Sequence, residues 1–123
     1  MARTNLPYST LVANSNLTDP AGTAIDASNH HVIAAAKPER TLLRVANTNG
    51  SDRTVIVKAG NTNPPAVAAG LGDLTVTVAA TTGVQWIGPF DSSRFLNTDG
   101  TMYINAGTSL AGTVTAFLVP KSA

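Results

Sequence analysis

The main pattern along the chain is a series of short runs in which apolar and polar residues alternate. In residues 74–78, Leu74, Val76 and Val78 alternate with two threonines, so one face of an extended strand is apolar and the other polar. Turn-forming Gly, Pro, Asn and Asp residues separate such runs. No stretch has a helical period. The pattern predicts strands over residues 31–36, 41–48, 53–59, 74–78, 84–90, 94–97, 101–106 and 113–119.

Two dipeptides predict hairpins between neighbouring strands. Asn49-Gly50 lies between the runs 41–48 and 53–59, and both of its residues tolerate the positive φ that a tight hairpin turn needs. Asp99-Gly100 separates residues 94–97 from the strand that follows them. We therefore expect each dipeptide to join two antiparallel strands that are paired with each other.

About eight short strands with turn residues between them are typical of an all-β domain. We predict an antiparallel β-sandwich, of jelly-roll or immunoglobulin-like type, with an extended N-terminal arm. The inward faces of the two sheets would supply the core. The expected core residues are Leu43, Val45, Val55, Val57, Leu74, Val76, Val78, Trp86, Phe95, Ile104, Val114 and Leu118.

Residues 1–29 have less pattern than the predicted sandwich domain at 30–123. They contain isolated apolar side chains and two prolines, and two interpretations remain open. One is an edge strand near residues 8–13 followed by a loop. The other is an arm that becomes ordered only against a neighbouring molecule. The second interpretation implies that deleting residues 1–29 weakens docking and leaves the domain folded.

The connection over residues 60–73 is long and contains the adjacent prolines Pro64 and Pro65. Proline cannot donate to a strand ladder, so this segment is not a central strand. The simplest interpretation is a crossover between the two sheets of the sandwich. Long loops are also often functional, and a contact role is the alternative.

Composition supports the β assignment and points to a surface with few charges. The chain has seventeen threonines and a single glutamate, Glu39, whereas solvated helices usually draw on Glu, Lys and Arg. Charged residues make up 12% of the chain, and the net charge is +1. Because the basic residues are scattered, we expect no nucleic-acid partner. A charge-poor surface is suited to burial against a protein partner, since desolvating charge costs free energy.

No residue pattern predicts catalysis, a metal or a cofactor. The adjacent His30 and His31 would point to opposite faces of a strand, and the chain has no cysteine. Most acids stand in turns, where Asp bonds its own backbone. No Gly-x-Ser-x-Gly motif or phosphate-binding glycine loop is present. We therefore expect a protein that is not an enzyme, with neither a signal peptide nor a membrane span.

Three stretches carry a family resemblance: residues 42–55, residues 69–76, and residues 87–95 followed by Asp99-Gly100. In this order they resemble small β-sandwich virion proteins of tailed bacteriophages, of the head decoration or capsid cement type. The resemblance covers roughly residues 40–119 and carries over no catalytic residue. It implies a protein made in the host cytoplasm that binds the outside of the capsid and bridges major capsid protein subunits. It also implies a homo-oligomer, with a trimer at local threefold positions as the expected form.

The alternative function is a carbohydrate-binding module or a tail or host-attachment protein of a phage. It requires an exposed Trp86 in a groove with nearby Asn, Asp or Arg groups, whereas the sandwich pattern places Trp86 in the core. For the decoration protein, we expect the partner contacts to come from the N-terminal segment and the 60–73 loop. The candidate contact residues are Leu6, Tyr8, Leu11, Val12, Pro64, Pro65 and Val67.

Overall fold

A computed structural model describes residues 3–60, 72–90 and 92–120 of the chain. The strands in these ranges are β1 (Thr4–Asn5), β2 (Tyr8–Thr10), β3 (Thr23–Ala24), β4 (His31–Ile33), β5 (Thr41–Asn47), β6 (Arg53–Val57), β7 (Leu74–Val78), β8 (Val84–Ile87), β9 (Met102–Ala106) and β10 (Gly112–Leu118). A 3-10 helix spans Pro38–Arg40, and a four-residue helix, α1, spans Ser92–Phe95. No helix in the described ranges is long and apolar enough to cross a membrane.

The strands form two sheets that pack face to face as a β-sandwich. The first sheet has the order β1-β4-β9-β6-β7, and the second has the order β2-β10-β5-β8, with β3 also paired to β10. Most pairs are antiparallel, as predicted. The exceptions are the β1–β4 and β2–β10 pairs, which are parallel and make both sheets mixed. The predicted sandwich class is confirmed.

The core lies between the sheets and follows the alternation seen in the sequence. Along β5, Leu43, Val45 and Asn47 are buried, and the residues between them are half-buried. Of the predicted core residues, these are buried: Leu43, Val45, Val55, Val57, Val78, Phe95, Ile104 and Val114. Leu74, Val76 and Leu118 are half-buried. Placing Trp86 in the core was wrong, because its side chain is 55% exposed.

The predicted hairpin at Asn49-Gly50 is also wrong. Strand β5 pairs with β8 and β10, whereas β6 pairs with β7 and β9, so residues 48–52 carry the chain from one sheet to the other. Neither Asn49 nor Gly50 has the positive φ of the tight hairpin turn. The buried Asn47 side chain holds the two sheets together here: its Nδ2 donates to the carbonyls of Ser51 and Val78, both at 3.1 Å.

Residues 94–97 form no strand and no hairpin with β9. The chain there contains the end of α1, and the Phe95 ring lies edge-on to Phe90 with centroids 5.4 Å apart. The crossover predicted for residues 60–73 is wrong as well. The strands it joins, β6 and β7, are antiparallel neighbours in the first sheet. Residues 61–71 lie outside the described residues.

The N-terminal segment is part of the sandwich. Strand β1 pairs with β4, while β2 and β3 both pair with β10. Between β1 and β2, Leu6 is only 1% exposed and belongs to the core. The edge-strand interpretation of residues 8–13 therefore matches β2, and the described part of the segment is not an extended arm.

Candidate functional site

An apolar groove crosses the outer face of the second sheet. Its floor comes from three neighbouring strands, which contribute Leu42 on β5, Trp86 on β8 and Phe117 on β10. The connection between β2 and β3 supplies the remaining wall. The groove has a volume of about 250 Å³ and is lined by Leu11, Leu17, Asp19, Pro20, Leu42, Trp86 and Phe117. We call it the Trp86 groove.

Strand register explains why these side chains share one face. Leu43 faces the core, so its neighbours Leu42 and Arg44 face outward. Phe117 is directly opposite Leu42, and Trp86 is directly opposite Arg44. Cross-strand partners in such pairs project from the same face of a sheet. Trp86 therefore lies on the outer surface although it belongs to an apolar run.

Trp86 is held in place from the sheet side and open on the solvent side. Its ring stacks on Phe117, with centroids 5.4 Å apart and an angle of 24° between the planes. The Arg44 guanidinium carbon lies 6.0 Å from the centroid of the Trp86 ring. The contact with the buried Phe117 fixes the tryptophan, so a ligand would meet a preorganised aromatic surface.

The large exposed apolar side chains either line the groove or lie close in sequence to residues that do. In the described ranges, the exposed ones are Val12, Leu17, Val84 and Trp86, and all four belong either to β8 or to the segment that follows β2. Such a patch on one side of a domain is typical of an interaction site. The polar groups beside it are few: Asp19 lines the groove, and Arg44 lies beside Trp86.

A cluster of polar groups near the start of β4 forms hydrogen bonds within the fold and not a catalytic arrangement. The Asp26 amide donates to Nε2 of His31 at 3.0 Å, and the Thr4 hydroxyl donates to Oδ2 of Asp26 at 2.7 Å. The Asn29 amide, Thr4 and other donors lower the pKa of Asp26 to about 2. Burial lowers the pKa of His31. The Thr4 hydroxyl is bonded to the acid and not to the imidazole, so these groups do not form a nucleophile–base pair.

Over residues 3–60, 72–90 and 92–120, no group of three or more His, Cys, Asp or Glu side chains could hold a metal ion. The Trp86 groove offers apolar and aromatic contact, with a few polar groups at its border.

The structure divides the predicted contact residues into three groups. Leu6 is buried, and Tyr8 is half-buried with its hydroxyl 2.6 Å from Oγ1 of Thr41, so both stabilise the fold. Leu11 lines the Trp86 groove, and Val12 is 65% exposed beside it in the sequence. The residues Pro64, Pro65 and Val67 lie outside the described residues.

The sequence pattern placed Trp86, the central residue of the groove, in the core, and only the alternative function required it to be exposed. Trp86 and Ile87 are adjacent, and neighbouring residues of a strand face opposite sides, so only one of them can face the core. Ile87 is the buried one. Leu17, Leu42 and Phe117 also line the groove, and nothing in their local sequence distinguished them from core or loop residues.

Comparison of this chain with family models, curated proteins and solved structures returned no match. The class of the protein is therefore described from its fold and its groove alone. The protein is a β-sandwich with an exposed aromatic groove on the outer face of one sheet.

Proposed function

We propose that this is a non-enzymatic binding protein that docks on another protein through the Trp86 groove. The observation that carries the proposal is the exposed Trp86, stacked on Phe117 inside an apolar groove. Tryptophan and arginine are enriched among the residues that dominate protein–protein binding energy. The groove offers both, with Arg44 beside Trp86. The low overall charge further reduces the cost of burying this surface.

Within the class that the sequence resembles, the partner is the major capsid protein of a tailed bacteriophage. The protein would act as a head decoration protein on the virion, stabilising the shell by bridging capsid subunits. A ligand that binds only the assembled shell stabilises it by mass action, and many copies add avidity. One of the stretches that carry the resemblance, residues 42–55, contributes to the groove, because Leu42 lines it and Arg44 lies beside Trp86.

Co-sedimentation with empty mature capsids tests the proposal. We expect the wild-type protein to sediment with capsids and not with isolated tails. We expect Trp86→Ala to weaken capsid binding about thirtyfold, which corresponds to about 2 kcal/mol for a dominant interface residue. The matched control is Thr75→Ala, an exposed position on β7 of the other sheet. Equal binding by the two variants would contradict docking through the groove.

A second candidate function has one specific observation in its favour. The alternative of glycan binding requires an exposed Trp86 in a groove with Asp or Arg nearby, and Trp86 lies beside Asp19 and Arg44. A sugar ring could stack on the open side of the tryptophan. Titration with host surface polysaccharide, followed by tryptophan fluorescence, separates the two functions. A saturable shift that Trp86→Phe reduces would favour glycan binding, and no shift would exclude it for the polysaccharide used.

A further inference from the structure

Strand β8 is an edge strand among the described residues, and the backbone groups on its outer side bond no other strand there. Within this part of the chain it pairs only with β5, and the amide of Asn47 donates to the carbonyl of Gly83 at 2.9 Å. Backbone groups alternate in direction along an antiparallel pair. The odd-numbered residues of β5 therefore bond Gln85 and Ile87, their partners in the register. The N–H and C=O groups of Val84 and Trp86 consequently point away from the sheet.

Apart from its shortness, β8 itself contains none of the residues that usually protect a strand edge. The strand has no charged residue and no proline, and the side chains of Val84 and Trp86 are exposed. By contrast, the other sheet's edge at β7 presents Thr75 and Thr77, and a 2.7 Å ion pair involving Asp73 lies just before it. An uncharged, apolar open edge is a template for pairing with another chain.

We propose that an extended segment of the docking partner adds to the free edge of β8 as a further strand of the second sheet. This inference rests on the proposed function and specifies how the partner binds. The row of free N–H and C=O groups on Val84 and Trp86 is matched by the backbone of an extended strand. A helix bonds its own backbone groups and cannot match this row.

Because the edge lies beside the Trp86 groove, its position also determines which side chains the partner segment needs. An added strand would lie about 4.8 Å from β8, with every second side chain on the face that carries Trp86. An apolar side chain at these positions would pack against the tryptophan and the groove. Main-chain hydrogen bonds would supply affinity, and the groove would select the sequence.

The length of β8 limits the contact. The strand ends at Ile87, and the next residue, Gly88, has φ +123° and leaves the strand conformation. The partner strand therefore gains few backbone bonds at each site. Binding of a single copy through these bonds alone would be weak, and only copies linked in a homo-oligomer would gain avidity on a capsid.

Amide hydrogen exchange, measured by NMR, tests strand addition directly. In the free protein, we expect the Val84 and Trp86 amides to exchange rapidly and the Gln85 and Ile87 amides to be protected by β5. The probe is a set of overlapping ten-residue peptides that cover the major capsid protein. A peptide that adds as a strand should slow exchange at Val84 and Trp86 at least tenfold. Unchanged exchange at these two amides in a saturated complex would overturn the inference.

Two substitutions at one position provide the matched comparison. Val84→Pro removes an outward N–H that β5 does not use, and proline is tolerated at such edge positions. Val84→Thr keeps the N–H and the branched shape. We expect the proline variant to lose at least tenfold in capsid binding and the threonine variant less than threefold, with circular dichroism confirming that both are folded. Equal binding by the two variants would overturn strand addition.

The same experiments separate this inference from the proposed function. If Trp86→Ala loses binding and Val84→Pro binds like wild type, the groove docks the partner but strand addition is wrong. If neither substitution changes binding, both proposals fail. Protection of Val84 and Trp86 that rises with protein concentration, in the absence of peptide or capsid, would show that a second copy occupies the edge. That result would overturn the assignment to a partner strand.

Discussion

At the scale of single residues, His31 holds its buried position as a hydrogen-bond acceptor. Its Nε2 accepts the Asp26 amide, so the neutral ring carries its proton on Nδ1. Burial is the largest cause that lowers the pKa of His31, and His30 and Arg3 lower it further. Asp26 and a backbone contact with Thr4 oppose them. Protonation would bury a charge and turn the acceptor into a donor that faces an N–H.

This geometry predicts an acid-sensitive stability. Because folding lowers the pKa of His31 from its unfolded value of 6.5, the unfolded chain binds more protons, and stability falls as the pH drops below about 6.5. Asp26, with a pKa of about 2 in place of 3.8, adds a second loss below about pH 4. Urea unfolding across pH 8 to 3 measures both losses.

Two variants test which residue causes each loss of stability. In His31→Gln, the midpoint of urea unfolding should vary less between pH 7.5 and pH 5 than in the wild type. In Asp26→Asn, which retains a side-chain acceptor, the loss near pH 6 should remain and the loss below about pH 4 should shrink. An unchanged slope near pH 6 in His31→Gln would assign the first loss to another group.

At the scale of elements, the sequence predicted strands better than their pairing. The run 74–78 is β7 residue for residue, and the runs 41–48, 53–59 and 113–119 differ from β5, β6 and β10 by one or two residues at their ends. The alternation of apolar and polar residues reflects which side chains of one strand are buried, so a strand can be predicted from its own residues. Pairing depends on contacts between strands that are distant in sequence, such as Tyr8 with Ala116, and no local pattern encodes these.

Two further features, the turn after β5 and the Trp86 groove, depend on contacts that no local sequence pattern encodes. Asn-Gly favours a hairpin only when both residues take positive φ, and here the buried Asn47 side chain instead holds the chain between the sheets. The Trp86 groove combines residues of β5, β8 and β10 with the segment after β2. Its existence depends on that assembly, so its residues could not be grouped from the sequence alone.

Glycine substitutions test the two kinds of turn. Gly50 lacks positive φ, and a Cβ there would meet no atom within 4 Å. We expect Gly50→Ala to stabilise the protein by about 0.5 kcal/mol, because it restricts the unfolded chain. A tight hairpin turn with positive φ at this position would make the same change destabilising. Urea unfolding decides between these signs.

The matched control is Gly112→Ala at the start of β10. Gly112 has φ +123°, and a Cβ there would collide with the carbonyl oxygen of Ala46 on β5. We expect this variant to lose about 2 kcal/mol or more in the free energy of unfolding, from backbone strain together with the displaced strand. Similar effects of the two substitutions would contradict the difference between these turns.

At the scale of the whole molecule, the N-terminal segment was expected to be an arm that extends away from the sandwich. Its three strands instead belong to the two sheets. The structure therefore reverses the expected result of deleting residues 1–29. The deletion removes Leu6 from the core, together with Tyr8 and Ile25, which pack against it. It also removes all three strands of the segment. We expect the shortened chain to lose its cooperative thermal unfolding, measured by circular dichroism.

Point variants in the full chain provide the control for this prediction. Leu6→Ala should lower the free energy of unfolding by about 3 kcal/mol, the usual cost of truncating a buried leucine. Val12→Ala, at a position that is 65% exposed, should change it by less than about 0.5 kcal/mol. A deletion variant that unfolds cooperatively near the wild-type temperature would show that the segment is dispensable for the fold.

The position of β10 has a consequence for how the protein is made. This strand bonds β2, β3 and β5, yet a ribosome synthesises it after every other strand described here. The nascent chain cannot close the second sheet until residues 112–118 have left the exit tunnel. Pairings between such distant parts of a chain form slowly. Until β10 emerges, the side of β5 that does not pair with β8 therefore lacks its strand partner in the nascent chain.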